Sequence, residues 1–364
     1  MKKHWQNYQI NLYHENLKHQ SIRIILLITL LFLFIILSIS VGVPLISKYS
    51  FESFSLTQKA DASIPTNLIT KHLIPREITS AWLSSALGKM TIHSQNPLTE
   101  ILDPSGKKLI RIEFSIDEKL QEQMEKLITR YKPPYAAFVA MDAETGQILS
   151  MVSYSADRPD VENLCLRGTF PAASIFKIIT AAAALESRKF SPESVISFRG
   201  PMYDFYPRYL PDNPRLDTKR MDMETALAKS VNIVFGKIAV KGPGQKGLKD
   251  YASRFGFDQE IDFELPLDVS HSEIPSEDVG VAKAGAGFGN ITLTPLHGAM
   301  IAATVANGGV MPKPSIIKTI YDEKGKNVYS PKSQIFSIPI TPSTSADLKE
   351  MMAETMDIGT ARKT

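Results

Sequence analysis

A serine three residues ahead of a lysine can act as a nucleophile with its own base, because on a helix that offset stacks hydroxyl and amine on one side. The chain of 364 residues spells Ser-x-x-Lys three times, at Ser105 and Lys108, Ser174 and Lys177, and Ser315 and Lys318. Context separates them. Ser105 lies in DPSGKK, which reads as a turn, and Ser315 opens SIIKTIYD, a strand pattern in which residues three apart point to opposite faces. Ser174 alone stands in the first turn of an apolar helix, AASIFKIITAAAALES, beginning just after Pro171. A helix that is apolar on nearly every side belongs inside a domain, so a lysine on it needs a reason. Desolvation and the positive helix N-terminus both disfavour the ammonium form of Lys177. A lowered pKa would let Lys177 take the proton of Ser174, while the same helix end stabilises the alkoxide and offers backbone N–H groups to an oxyanion. The bland alternative is that Ser174 is a helix cap and Lys177 snorkels to the surface.

Ser230 and Asn232 form a second constellation, a hydroxyl and an amide in a short break between two helical stretches. They are suited to relaying a proton to a leaving group and holding a substrate amide. Ser94 and Asn96 repeat the spelling but precede Pro97 and have no helical frame, which marks them as a decoy. No G-x-S-x-G elbow exists, and His72, His93, His271 and His297 stand in no recognisable base position, so a Ser-His-Asp enzyme is poorly supported. H-E-x-x-H and Cys or His ligand pairs are absent, which argues against a metal enzyme and leaves no cofactor to expect. Gly285, Gly287 and Gly289 lack the preceding strand and the downstream acid of a dinucleotide site and read as a turn. The single cysteine, Cys165, reads as a small buried apolar residue.

The surrounding elements follow from periodicity. KLIRIEF (108–114) alternates like a strand, and Ser115 with Glu118 three residues on reads as a capping box opening a helix with Ile116, Leu120, Met124, Leu127 and Ile128 on one face. AAFVAM (136–141) and QILSMVS (147–153) read as a hairpin turned at Asp142 to Gly146. Residues 187–220, rich in Pro, Arg and tyrosine, read as a loop excursion whose aromatics pack it onto the body. Asp222 is a good N-cap for METALAK, the break follows, and IVFGKIAV resumes. A strand or loop at ITLTP leads into a long apolar helix that stops at Asn307, Gly308 and Gly309.

Residues 24–46 run 23 residues without a charge, enough to span about 30 Å of hydrocarbon as a helix. The run is too long for a cleavable signal and lacks an A-x-A site. Lys2, Lys3, Lys18 and Arg23 precede it against Glu15 alone, so the expectation is a cytoplasmic tail (1–23), a transmembrane helix (24–46) and an exported remainder on the extracytoplasmic side. The formal net charge of +3 resides in that tail, since 37 basic and 37 acidic residues follow it. A neutral body carries no nucleic-acid footprint. Residues 48–112 are punctuated by proline and read as a juxtamembrane pedestal, marginal in size for a catalytic domain.

The order of anchor, MDAETGQILSMVS, PAASIFK, AKSVN and GFGNITLTPLHGAMIAATVANGG resembles the transpeptidase domain of penicillin-binding proteins over roughly residues 113–364. The resemblance implies an α+β fold, a central antiparallel sheet with helices on both sides and the Ser174 helix in the middle. It also implies that Ser174 is the acylated nucleophile, Lys177 its proton partner, and Ser230 and Asn232 the second motif. The implied substrate is the D-Ala-D-Ala end of a peptidoglycan stem peptide, with β-lactams acylating the same serine and a cell-wall synthesis complex as possible company. The family's third motif, K-[ST]-G, is missing: the chain ends at MDIGTARKT, and GTARK resembles the loop that precedes that strand. The expectation is therefore a truncated product, without the last strands of the sheet and slow or inactive as it stands. A non-catalytic scaffold of wall assembly and a β-lactam hydrolase or sensor are the alternative readings.

Overall fold

The computed structural model describes residues 78–88, 90, 98–156 and 163–362. The chain divides into two units, Met1–His72 and Leu73–Thr364, and the described residues belong to the second. The tail, the apolar run 24–46, Ser94 with Asn96, His72, His93, and Lys363 with Thr364 lie outside them. Among the described residues no helix is long and apolar enough to cross a membrane.

Helix α1 (Ser80–Leu87) opens at Thr79, whose side chain accepts the N–H of Trp82 at 3.1 Å. It buries Leu83 and Leu87 against a four-stranded antiparallel sheet, ordered β1 (Leu98–Leu102), β2 (Leu109–Phe114), β10 (Ile317–Tyr321) and β11 (Asn327–Tyr329). The boundary drawn at residue 112 falls inside β2, which pairs with β1 on one side and with the distant β10 on the other. The described end of the pedestal thus shares a sheet with the later chain. The alternation read in KLIRIEF is real: Ile110, Ile112 and Phe114 are buried and the residues between them are not.

Helix α2 (Glu118–Tyr131) corrects one expectation. Its N-cap is Asp117, whose carboxylate accepts the N–H of Leu120 at 3.0 Å, while the Ser115 hydroxyl donates to the Ile148 carbonyl at 2.8 Å. Asp117 lies one residue before the helix and accepts three residues ahead, the geometry a cap needs; Ser115 is drawn away by the strand beside it. Within the helix the buried residue is Gln121, whose Oε1 accepts from Ser150 Oγ at 2.8 Å and the Met151 N–H at 2.9 Å.

The hairpin β3 (Tyr135–Met141) and β4 (Ile148–Ser155) forms as read. Helix α2 packs on β4, and α8 (Pro295–Ala306) packs on β3, so helices flank this sheet. Short strands β5 (Phe170–Pro171) and β8 (Thr292–Leu293) pair antiparallel, and α3 (Phe176–Glu186) follows β5. The excursion is not all loop: β6 (Val195–Phe198) and β7 (Lys219–Asp222) pair antiparallel and close it at its base. Pro, Arg and Tyr between the two arms hide the short alternation at its ends. Helices α4 (Met223–Ala228), α5 (Asn232–Lys241), α6 (Gly244–Arg254) and α7 (Asp278–Gly285) precede β8. Beyond α8, β9 (Met311–Pro312) pairs with β12 (Ile335–Ser337), and α9 (Pro342–Asp357) completes the described chain.

Two apolar clusters hold these layers. The larger is built around α3, whose Phe176 and Ile179 are fully buried among residues of α5, α6, α8 and α9. Phe176 meets Phe257 edge to face at 5.5 Å, one of the aromatic contacts that add to simple area burial. The smaller lies under the four-stranded sheet and contains Cys165, fully buried, its thiol pushed up to about 12 by that burial.

Candidate active site

The segment entering α3 is held from both sides. Phe170 and Pro171 pair with Leu293 and Thr292, and the N–H of Ala172 donates to the Ile291 carbonyl at 2.9 Å. Ala173 then adopts φ +47°, in the left-handed region, and a 3-10 turn over Ala173–Ile175 leads into α3. Ser174 therefore sits in this tightened turn and not in the first α-helical turn. The turn projects Ser174 into the open, while Lys177 on α3 is 1% exposed. Left-handed backbone at a non-glycine residue costs on the order of 1 kcal/mol or more, and such strain collects at functional sites.

The three-residue offset brings hydroxyl and amine together, with Lys177 Nζ 2.9 Å from Ser174 Oγ. Nζ also donates to the Ala286 carbonyl at 2.8 Å, just beyond α7, and Thr180 one turn further along α3 donates to the Gly285 carbonyl at 2.8 Å. The end of α7 thus anchors α3 through two carbonyls. Burial holds the Lys177 ammonium well below its ordinary range, at about 7. An amine near 7 is half neutral at neutral pH; in that form the Ser174 hydroxyl donates to Nζ across the same contact. Lys177 does not snorkel.

Ser230 comes to the other side of the nucleophile. It adopts φ +55° between α4 and α5, its N–H donating to the Leu227 carbonyl at 2.9 Å, and its Oγ lies 2.7 Å from Ser174 Oγ. The N-cap read at Asp222 is in place, its carboxylate accepting the Thr225 N–H at 2.6 Å. Asn232 opens α5 and is buried; its side-chain Nδ2 donates to the Tyr203 carbonyl and its N–H to the Met202 carbonyl at 2.9 Å. Four residues named from spacing are therefore placed, three of them in one hydrogen-bonded row and Asn232 two residues from it.

The other tetrads separate. Ser105 Oγ donates to Asp103 at 2.6 Å; Ser315 Oγ donates to Glu264 at 2.7 Å, while Lys318 pairs with Glu113 at 2.8 Å. His271 is exposed beside Asp258, and His297 is fully buried, its Nε2 bonded to the Phe255 carbonyl at 2.6 Å. Neither is bonded to the serines. Among the described residues no group of His, Cys, Asp or Glu could hold a metal ion.

Sequence reasoning missed two contributors, Ala286 and Gly287. Gly287 has φ +87°, and a Cβ there would stand 1.9 Å from the Ala173 carbonyl oxygen. Only glycine lets the chain after α7 lie against the nucleophile turn. The glycine run was the available signal, but spacing alone identified it as a turn and not as a wall.

The penicillin binding protein transpeptidase domain profile matches residues 136–364. The peptidoglycan D,D-transpeptidase PbpA of Mycobacterium tuberculosis is 27% identical over 283 residues, covering 69% of this chain and 56% of that protein. Stage V sporulation protein D of Bacillus subtilis is 28% identical over 274 residues, covering 69% of this chain and 41% of its own. The chain thus spans about half the length of the curated relatives it matches. Among solved structures, the penicillin G acyl-enzyme complex of penicillin-binding protein A from M. tuberculosis superposes with a TM-score of 0.57 at 24% identity, over 68% of this chain and 63% of that one, which shows a common fold. With its family profile matched over more than half its length, this chain belongs to the penicillin-binding protein transpeptidase family.

Proposed function

We propose that the chain is a peptidoglycan D,D-transpeptidase that cross-links stem peptides through an ester on Ser174, and that β-lactams acylate the same oxygen. The observation carrying this reading is the buried Lys177 amine, 2.9 Å from an exposed Ser174 hydroxyl that Ser230 meets at 2.7 Å from the other side. Ser174 Oγ attacks the carbonyl carbon of the donor's D-Ala-D-Ala bond as its proton passes to Lys177 Nζ. The C–N bond breaks, and the departing amine takes a proton delivered through Ser230, leaving the acyl group on Ser174. Attack by an acceptor amine reverses the proton flow and frees the serine. Backbone N–H groups at the head of α3 are the donors suited to the oxyanion. No cofactor or metal enters this scheme.

A membrane anchor at 24–46, with residues 1–23 cytoplasmic and the catalytic part outside, is supported by the uncharged run and the cations preceding it. Incubation with fluorescent penicillin, of this chain and of any longer product of the same reading frame, tests the reading. A stable adduct supports the transpeptidase; rapid turnover points to a hydrolase, and no labelling of either product to a scaffold. Ser230→Ala is expected to slow acylation about a hundredfold, since the relay is a general acid–base contribution. A time course of labelling checks this, and a wild-type rate would remove Ser230 from the pathway.

A further inference from the structure

Helix α4 ends in a Schellman geometry that carries a serine where glycine is usual. Ser230 stands at φ +55°, its N–H donating to the Leu227 carbonyl and the N–H of Val231 to the Ala226 carbonyl, each at 2.9 Å. The N–H of Lys229 donates to the Thr225 carbonyl at 2.9 Å. Three of the four carbonyls that a helix end leaves open are thus taken by the residues that follow it. The fourth, of Ala228, is taken by the turn after α9, where the N–H of Thr360 donates to it at 3.1 Å. Left-handed backbone is costly for serine, so this end of α4 keeps its shape only where the surroundings enforce it.

Gly359 lets the turn come close enough. A Cβ there would stand 2.2 Å from the Ala228 carbonyl oxygen and 2.7 Å from Thr355 Cα, both backbone atoms. The turn is itself braced, with the N–H of Ile358 donating to the Glu354 carbonyl at 3.0 Å and that of Ala361 to the Thr355 carbonyl at 3.2 Å. Helix α9 also packs on α4, with Leu348 and Met351 in the apolar cluster that holds Ala226 and Leu227. Charge opposes that packing. Burial, then the carboxylates of Glu354, Asp222, Glu193 and Glu350, raise the Glu224 carboxyl on α4, and Glu350 and Glu354 belong to α9. The bond at Ala228 resists this repulsion two residues from Ser230.

We propose that the Gly359–Thr360 turn is a positioning element for Ser230: by capping the Ala228 carbonyl it locks the end of α4 in the left-handed geometry that sets Ser230 Oγ beside Ser174 Oγ. The proposal rests on reading Ser230 as the proton relay. Gly359 and Thr360 act through Ser230 and take no part in the proton transfers.

Thr360→Pro removes the N–H, and Gly359→Ala forces the turn off the carbonyl. Each is expected to slow acylation by penicillin G about tenfold or more, because displacing a relay costs part of what deleting it costs. The decisive comparison repeats each change in a Ser230→Ala background. With the hydroxyl gone the turn has nothing left to position, so either change is expected to alter the residual rate by less than about twofold. Damage that merely loosens the fold slows both backgrounds alike; equal factors in the two, or a wild-type rate in the single variants, overturn the proposal. Hydrogen exchange reads the lock without a ligand. Protection of the Ser230 and Val231 N–H groups is expected to fall about tenfold in each variant while that of α3 holds, and unchanged protection also overturns it. Should Gly359→Ala fail to fold, Thr360→Pro, which places no Cβ against the backbone at 359, answers alone. A wild-type rate in Ser230→Ala by itself is a separate failure, that of the relay, and leaves the exchange data to judge the lock.

Discussion

Replacing Lys177 with methionine is expected to slow acylation of Ser174 by about a thousandfold or more in a protein that remains folded. Among the described residues the amine is the one base bonded to the nucleophile, and a positioned base contributes about a hundred- to ten-thousandfold. Methionine keeps the length of the buried stem, so the loss belongs to the amine and not to a cavity. In the wild-type protein the same amine sets the pH profile. With a pKa of about 7, roughly a tenth of Lys177 is neutral at pH 6, about half at pH 7 and about nine-tenths at pH 8, so the acylation rate should climb through neutrality and level off. Stability is linked with the same sign. The unfolded chain holds the Lys177 proton up to the ordinary 10.5 and the folded chain releases it near 7, so this group makes stability rise with pH between those values. Lys177→Met should flatten both dependences; rates and urea midpoints measured from pH 6 to 10 check it, and an unchanged profile would assign the titration to another group.

Gly287→Ala is expected to damage the site from the opposite wall. The new Cβ would fall 1.9 Å from the Ala173 carbonyl oxygen, a backbone atom that cannot swing aside, at a φ of +87° that disfavours any side chain. The nucleophile turn must shift by more than an ångström or the chain after α7 must leave it, and in either case Ala286 no longer meets Lys177. A displacement of that size costs about a hundredfold in rate, and the strain about 2–4 kcal/mol of stability. Labelling kinetics and thermal unfolding measure the two effects; a variant with wild-type values in both would show that the close approach is not needed.

Much of the site was legible because its chemistry is local. Ser174 and Lys177 are three residues apart at the entrance to an apolar helix, and the Ser230 break shows as an interruption between two helical patterns, so period and composition suffice. The hairpin β3–β4 declares itself by a turn between two short apolar runs. What stayed hidden is long-range. The Ala286 carbonyl lies 109 residues from Lys177 in sequence, and a backbone acceptor has no residue-type signature. Asp217 and Lys237 carry no mark in the sequence that pairs them; they meet, buried, only once β6 and β7 close the excursion. The α2 cap went to Asp117 because Ser115 is bonded to the Ile148 carbonyl, a contact set by strand pairing. The resemblance supplied the sheet between helices, and the strand order adds that β2 joins the region before residue 113 to that after it.

The most direct measurement is to locate the bond itself. The chain is treated with penicillin G, digested and analysed by mass spectrometry, in wild type and in Ser174→Ala. One added penicilloyl group is expected on the peptide that contains Ser174, and none anywhere in the variant. An adduct on a different residue, or one that survives the loss of the Ser174 hydroxyl, would contradict it.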